Sequence, residues 1–83
     1  MADTKYTGDD LDALYELRAS SGYRLIEGRL TGELERHRRE LERPADERTT
    51  AMARGAIAAL RMVLSLPSIL EDEIKSEVKE QQP

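Results

Sequence analysis

The chain has no cysteine, no tryptophan and no phenylalanine. Without cysteine it has neither a disulfide framework nor a thiolate metal site. Its aromatics are Tyr6, Tyr15 and Tyr23, so any core is aliphatic. His37 is the single histidine, and no second His or Cys exists to complete a zinc-type site. Glycine-rich phosphate loops and EF-hand spacing are missing. The acids Glu71, Asp72 and Glu73 are consecutive and point in different directions on a helix. No stretch reaches the roughly 20 apolar residues that span a bilayer. The opening "MADTKYTGDD" has no basic n-region or apolar h-region, so no secretory signal is expected. Strand alternation, internal repeats and low-complexity runs are also lacking.

What is present is short and charged. Eighty-three residues make one small domain with a thin core. Residues 1–17 set one lysine against five acids, residues 18–61 set ten arginines against seven acids, and residues 62–83 set two lysines against five acids. An arginine-rich middle thus lies between two acidic ends. The formal net charge of −4 argues against a dedicated nucleic-acid binder, which carries a basic excess. Nucleic acid is a possible but not a favoured partner.

The punctuation predicts an all-α fold. Gly8-Asp9-Asp10 reads as a helix start with Asp at or near the N-cap, and Leu11, Leu14, Tyr15 and Arg18 follow at helical spacing. Ser20-Ser21-Gly22 either breaks or bends that helix, and Ser20 or Ser21 can cap the next. Tyr23, Ile26, Leu30, Leu34, His37 and Leu41 are then 3, 4, 4, 3 and 4 residues apart, one narrow stripe on a helix. Glu35 with Arg38 and Arg39 offers opposite charges at helical spacing. Pro44 ends this second helix near Arg43. Pro44-Ala45-Asp46-Glu47 opens a third, which runs to about Leu66, where Pro67 stops or kinks it. Leu70, Ile74 and Val78 predict a short amphipathic helix after Pro67. The expected organisation is a disordered N-terminus over 1–8, one helical domain over 9–80, and a frayed end over 81–83.

The two central segments, about 21–43 and 45–66, have matched lengths and a connection too short for a crossover. They predict an antiparallel helical hairpin in which facing residue numbers sum to about 90. That register sets Leu41 against Thr49, His37 against Ala53, Leu34 against Ala56, Leu30 against Leu60, and Ile26 against Leu64. Small residues face large ones near the turn and Leu meets Leu at the open end.

The hairpin leaves too much apolar surface. "MARGAIAALRMVLSLP", residues 52–67, has only Arg54, Arg61 and Ser65 as strongly polar side chains. Beyond the hairpin face, Met52, Ala59 and Leu66 recur every seven residues with Val63 beside them, and Ala51, Gly55, Ala58 and Met62 occupy the far side. A helix apolar nearly all round is normally buried on several sides. On the second helix, Leu25, Gly28 and Gly32 lie opposite the Leu stripe. Each glycine there costs about 1 kcal/mol relative to Ala, and such a pair permits close approach of another backbone. The candidate protein-binding residues are therefore Met52, Gly55, Ala59, Met62, Leu66, Leu25, Gly28 and Gly32. The chain's own ends, through Leu11, Leu14, Tyr15 and Leu17 or Ile69, Leu70, Ile74 and Val78, can cover part of that surface but not its full width.

Enzymatic readings find little support. His37 sits in the Leu stripe and reads as a buried, hydrogen-bonded or edge-snorkelling side chain. The serines fall at caps and helix ends. Arg18, Arg24, Arg29 and Arg61 suggest the arginine cluster with which small all-α mutases hold dicarboxylates, with no supporting motif. A helix-turn-helix reader needs near-perpendicular helices, which the matched seam opposes. Arg36, Arg39 and Arg43 can brush phosphates without reading sequence. No catalytic, cofactor-binding or metal-ligating residue is assigned.

The segments "SGYRLIEGRLTGELERHRRELERP" and "TTAMARGAIAALRMVLSLPSIL" resemble small proteins of tailed phages encoded near portal and terminase genes. A Ser-Gly-aromatic start, a long charged helix and an "RGxIxALRxxLxLP" helix at Arg54–Pro67 carry the likeness, over about residues 20–70. The resemblance implies a structural component of a virion or its assembly, attached to portal or capsid in several copies and located in the virion or host cytoplasm. It carries over no catalytic residue. The expected function is thus non-enzymatic packing against copies of itself or a larger phage assembly. The alternatives are a small regulatory adaptor for one protein partner and a DNA-packaging accessory resembling a small terminase.

Overall fold

The computed structural model describes residues 6–81, with side chains through Lys79. It is all-helical among those residues: α1 (Gly8–Ala19), α2 (Ser21–Glu40) and α3 (Glu47–Gln81). Residues 1–5 and 82–83, where most of the expected disordered N-terminus and frayed end fall, lie outside the described residues.

Each helix starts on a side-chain cap. Thr7 caps α1, two positions before Asp9. Its hydroxyl accepts from the Asp10 amide at 3.3 Å, and the Asp10 carboxylate accepts from the Thr7 amide at 2.8 Å. This reciprocal box satisfies two otherwise orphaned donors. Ser20 ends α1 and starts α2: its hydroxyl donates to the Leu17 carbonyl at 2.6 Å and accepts from the Tyr23 amide at 3.1 Å. Asp46 opens α3, its carboxylate accepting from the Thr49 amide at 2.7 Å. α2 stops at Glu40 rather than Arg43, and α3 begins at Glu47 rather than Ala45. The six residues between them form a turn around Pro44.

The largest departure from expectation is Pro67. It neither ends α3 nor leaves a separate C-terminal helix; one helix of 35 residues runs through it. The proline removes the amide that would bond the Val63 carbonyl, at a cost of about 3 kcal/mol. Tertiary packing downstream offsets that cost. Ile74 is only 2% exposed and Leu14 of α1 is also buried. Arg18 Nη1 meets Glu71 Oε1 at 2.8 Å, and Arg18 Nη2 lies 3.4 Å from Ser68 Oγ. At the start of α1, the Tyr6 amide donates to Glu77 Oε2 at 2.7 Å. α1 thus lies along the part of α3 beyond Pro67, holding it helical.

α2 packs on the earlier part of α3. Ala53 and Ile57 are buried there, and Ile57 shares a groove with Arg38 and Leu41. Ile57, absent from the expected seam, lies about 40° round the helix from Ala53. The buried face is therefore rotated toward Ile57, and Thr49, expected on the seam, is exposed. No α2 residue is fully buried. The radius of gyration, 17.4 Å, compares with about 12 Å for a globular domain of this length. α3 itself sets the long dimension of 58 Å.

Two stability predictions follow from these contacts. Ile74→Ala should cost about 2–4 kcal/mol in denaturant unfolding and expose the α1 amides to hydrogen exchange. The Thr49 amide and hydroxyl hold the Asp46 carboxyl below the usual aspartate range. A depressed folded value means that the cap's contribution is complete above the ordinary value and is lost as pH falls through the folded one. Amide exchange at Thr49 should accelerate in that acid window, whereas Asp46→Asn should keep a cap and lose the pH dependence.

Candidate functional site

α1 and the part of α3 beyond Pro67 cover each other. Leu14 and Leu17 of α1 line a shallow groove with Leu70 and Ile74 of α3, and Lys75 Nζ lies 6.0 Å above the Tyr15 ring. The Glu71 carboxylate, then the Tyr15 hydroxyl, push the Lys75 ammonium pKa up. Among the described residues, nothing comparable reaches the face that carries Met52, Ala59 and Met62. Met52 is 69% exposed, Met62 66%, Leu66 55% and Ile69 46%, and Gly55 and Ala59 are exposed between them.

These six residues form one line. Met52, Gly55, Ala59, Met62, Leu66 and Ile69 are spaced 3, 4, 3, 4 and 3, the a/d repeat of a helix–helix seam. On a helical projection the line lies about 180° from buried Ile57. α3 therefore presents its core face to α2 and an opposite apolar face to solvent. Ile69 lies beyond Pro67, where the sequence predicts a stop or a kink, and so is not in the expected set. The unbroken 3-4 spacing across the proline was the signal that extends it.

The remaining expected residues are not gathered there. Leu66 belongs both to the seam and to a second feature, an almost wholly apolar groove of about 280 Å³. Leu14 and Leu17 of α1, Ile26 and Leu30 of α2, and Val63 and Pro67 of α3 line it. Leu25, 76% exposed, is on α2 with Gly28 and Gly32. A Cβ on Gly28, Gly32 or Gly55 would meet nothing within 4 Å, so no close approach inside the chain requires these glycines.

Several charges along α2 are paired locally. Arg36 bonds Glu33 at 2.8 Å and Glu40 at 2.9 Å, and Arg38 bonds Glu35 at 3.1 Å. The hydrogen bond and charge of Arg36 hold the Glu33 carboxyl below its ordinary range. The four arginines suggested as a dicarboxylate cluster are engaged separately: Arg18 pairs with Glu71, Arg24 is exposed on α2, Arg29 pairs with Glu33 at 3.3 Å, and Arg61 lines a separate open groove beside Arg38 and Arg54. His37 is largely enclosed, its Nε2 3.5 Å from Arg36 Nη2. Its Nδ1 is buried without a hydrogen-bond partner, 3.6 Å from Glu40 Oε2. No group of three or more His, Cys, Asp or Glu side chains converges among the described residues.

Glu47–Lys79 is long and apolar enough to cross a bilayer, with an 18-residue window of mean hydropathy 1.4 that is 11% buried. Arg54 and Arg61 oppose insertion, since a central arginine costs about 2.5–3.5 kcal/mol on insertion scales.

The open space around the α2 glycines gives a test. Gly28→Ala with Gly32→Ala should raise stability by about 1–2 kcal/mol together in denaturant unfolding; a loss of stability would show that the glycines serve the fold. Comparison with protein-family models, with curated proteins and with solved structures found no match.

Proposed function

We propose that this protein is a non-enzymatic assembly component that packs through α3 against copies of itself or within a larger protein assembly. The observation that carries the reading is the exposed a/d line from Met52 to Ile69. A large aliphatic side chain gains about 1.5–3 kcal/mol on full burial, and four of them stand in one row. Scattered exposed apolar residues need no explanation, but a continuous one-sided seam marks an interaction surface. The phage-like character of Arg54–Pro67 supports a virion setting, in which the larger assembly is portal or capsid. The same reading contains the finer arrangement of the fold, an antiparallel hairpin of α2 on α3. It is supported by Tyr23, Ile26 and Leu30 sharing a groove with Leu64, Pro67 and Leu70, while Leu41 shares one with Ile57.

Insertion of α3 into a bilayer is the second reading, favoured by the helix's length and hydropathy. A bilayer surrounds a helix, whereas here α2 and α1 already cover one side. Mass measurement by sedimentation separates the readings. The protein should form a defined oligomer in water and should not float with phosphatidylcholine vesicles. Met62→Glu should reduce it to monomer with its helical circular dichroism unchanged. A dispersed monomeric wild type that binds no vesicle and no partner would remove the proposal.

A further inference from the structure

The seam has a property that the assembly reading does not require. Laid antiparallel against a second copy, about a midpoint between Leu60 and Arg61, its members pair by size. Met52 faces Ile69, Gly55 faces Leu66, and Ala59 faces Met62. Every small residue meets a large one, which lets two backbones approach closely while the large side chains fill the space. The same midpoint extends outward to charge. Arg48 and Glu73 continue the 3-4 spacing beyond either end of the apolar line. Both are exposed, and neither side chain forms an ion pair among the described residues. In the antiparallel register Arg48 of each copy faces Glu73 of the other.

A parallel register does the opposite. It sets Gly55 on Gly55 and Ala59 on Ala59, leaving gaps, and it sets Arg48 on Arg48 and Glu73 on Glu73, which repel. We infer that the occupant of this face is a second copy of the chain, joined across α3 as an antiparallel two-fold dimer with an Arg48–Glu73 pair at each end. The contact is isologous and closes on itself, so it yields a dimer rather than a filament. Its face opposes the one holding α2, so the subunits meet without displacing their own core.

This inference rests on the assembly reading and fails separately from it. The chain has no native cysteine, so introduced ones report without background. Met52→Cys mixed with Ile69→Cys should give a disulfide-linked heterodimer under mild oxidation. Met52→Cys alone should stay uncrosslinked, because two copies of that position are about 25 Å apart along the antiparallel axis. Ready crosslinking of Met52→Cys to itself, in a protein that sediments as a dimer, overturns the register and leaves the assembly reading intact. A monomeric wild type overturns the inference, and the assembly reading falls with it only where no larger protein partner is bound. A dimer that crosslinks in neither experiment places the contact elsewhere and overturns the inference. Charge reversal gives an independent check. R48E alone and E73R alone should each weaken dimerisation at least tenfold, and the double variant should recover most of the loss. In a parallel dimer the double variant restores nothing.

Discussion

A helix has a full circumference to bury, and the other described residues supply cover for only one side of α3. That constraint organises the molecule. α2 lies against Ala53 and Ile57, α1 lies against Leu70 and Ile74, and among the described residues no further element remains for the opposite face. Interior burial is correspondingly sparse, with Leu14, Ala53, Ile57 and Ile74 as the buried hydrophobic residues. A small core of aliphatic side chains, with no disulfide, is at the lower limit of what holds a chain of this length together. In the proposed assembly, association across the uncovered face would contribute stability as well as function and so would couple folding to assembly.

The α1–α3 contact decides how long the exposed face is. Were α3 to end at Pro67, the apolar line would stop at Leu66 and Glu73 would have no fixed position relative to Arg48. The Arg18–Glu71 ion pair, the Tyr6–Glu77 hydrogen bond and the burial of Ile74 hold the helix past the proline. The ion pair is partly shielded, its side chains 33% and 20% exposed, and its worth is of order 1 kcal/mol. Burial of Leu14 and Ile74 supplies more. The acidic ends noted in the sequence acquire a role here, since Glu71 and Glu77 bind partners from the first eighteen residues.

The sequence made the helical class and the excess apolar surface legible because both are local. Caps, the Leu stripe of α2 and the seven-residue recurrence of Met52, Ala59 and Leu66 can be read from spacing alone. Pro67 was misread because proline's local cost is large and fixed, while the compensation comes from Leu14 and Arg18, some fifty residues away. Ile57 was missed for a related reason. On α3 nearly every direction is apolar, so periodicity does not say which one faces α2. The glycines of α2 were legible as unusual, but their surroundings were not: the space beside them is open, which a one-dimensional pattern cannot distinguish from close packing. His37 fell in the Leu stripe as expected of a half-enclosed side chain, yet its unpaired Nδ1 depends on a rotamer that spacing does not fix.

The position of the arginines bears on what kind of environment the uncovered face meets. Arg54 and Arg61 are seven residues apart and share one stripe, about 60° round the helix from Ile57 and well over 90° from the middle of the apolar line. They stay in water beside α2, in an open groove with Arg38 and Glu42. A protein surface laid on the line leaves that stripe solvated. A bilayer closing around α3 must desolvate both guanidinium groups and displace α2 from Ala53 and Ile57. The polar stripe of α3 thus faces solvent and the buried face its own subunit, which leaves the apolar line as the face on which we propose that a protein neighbour packs.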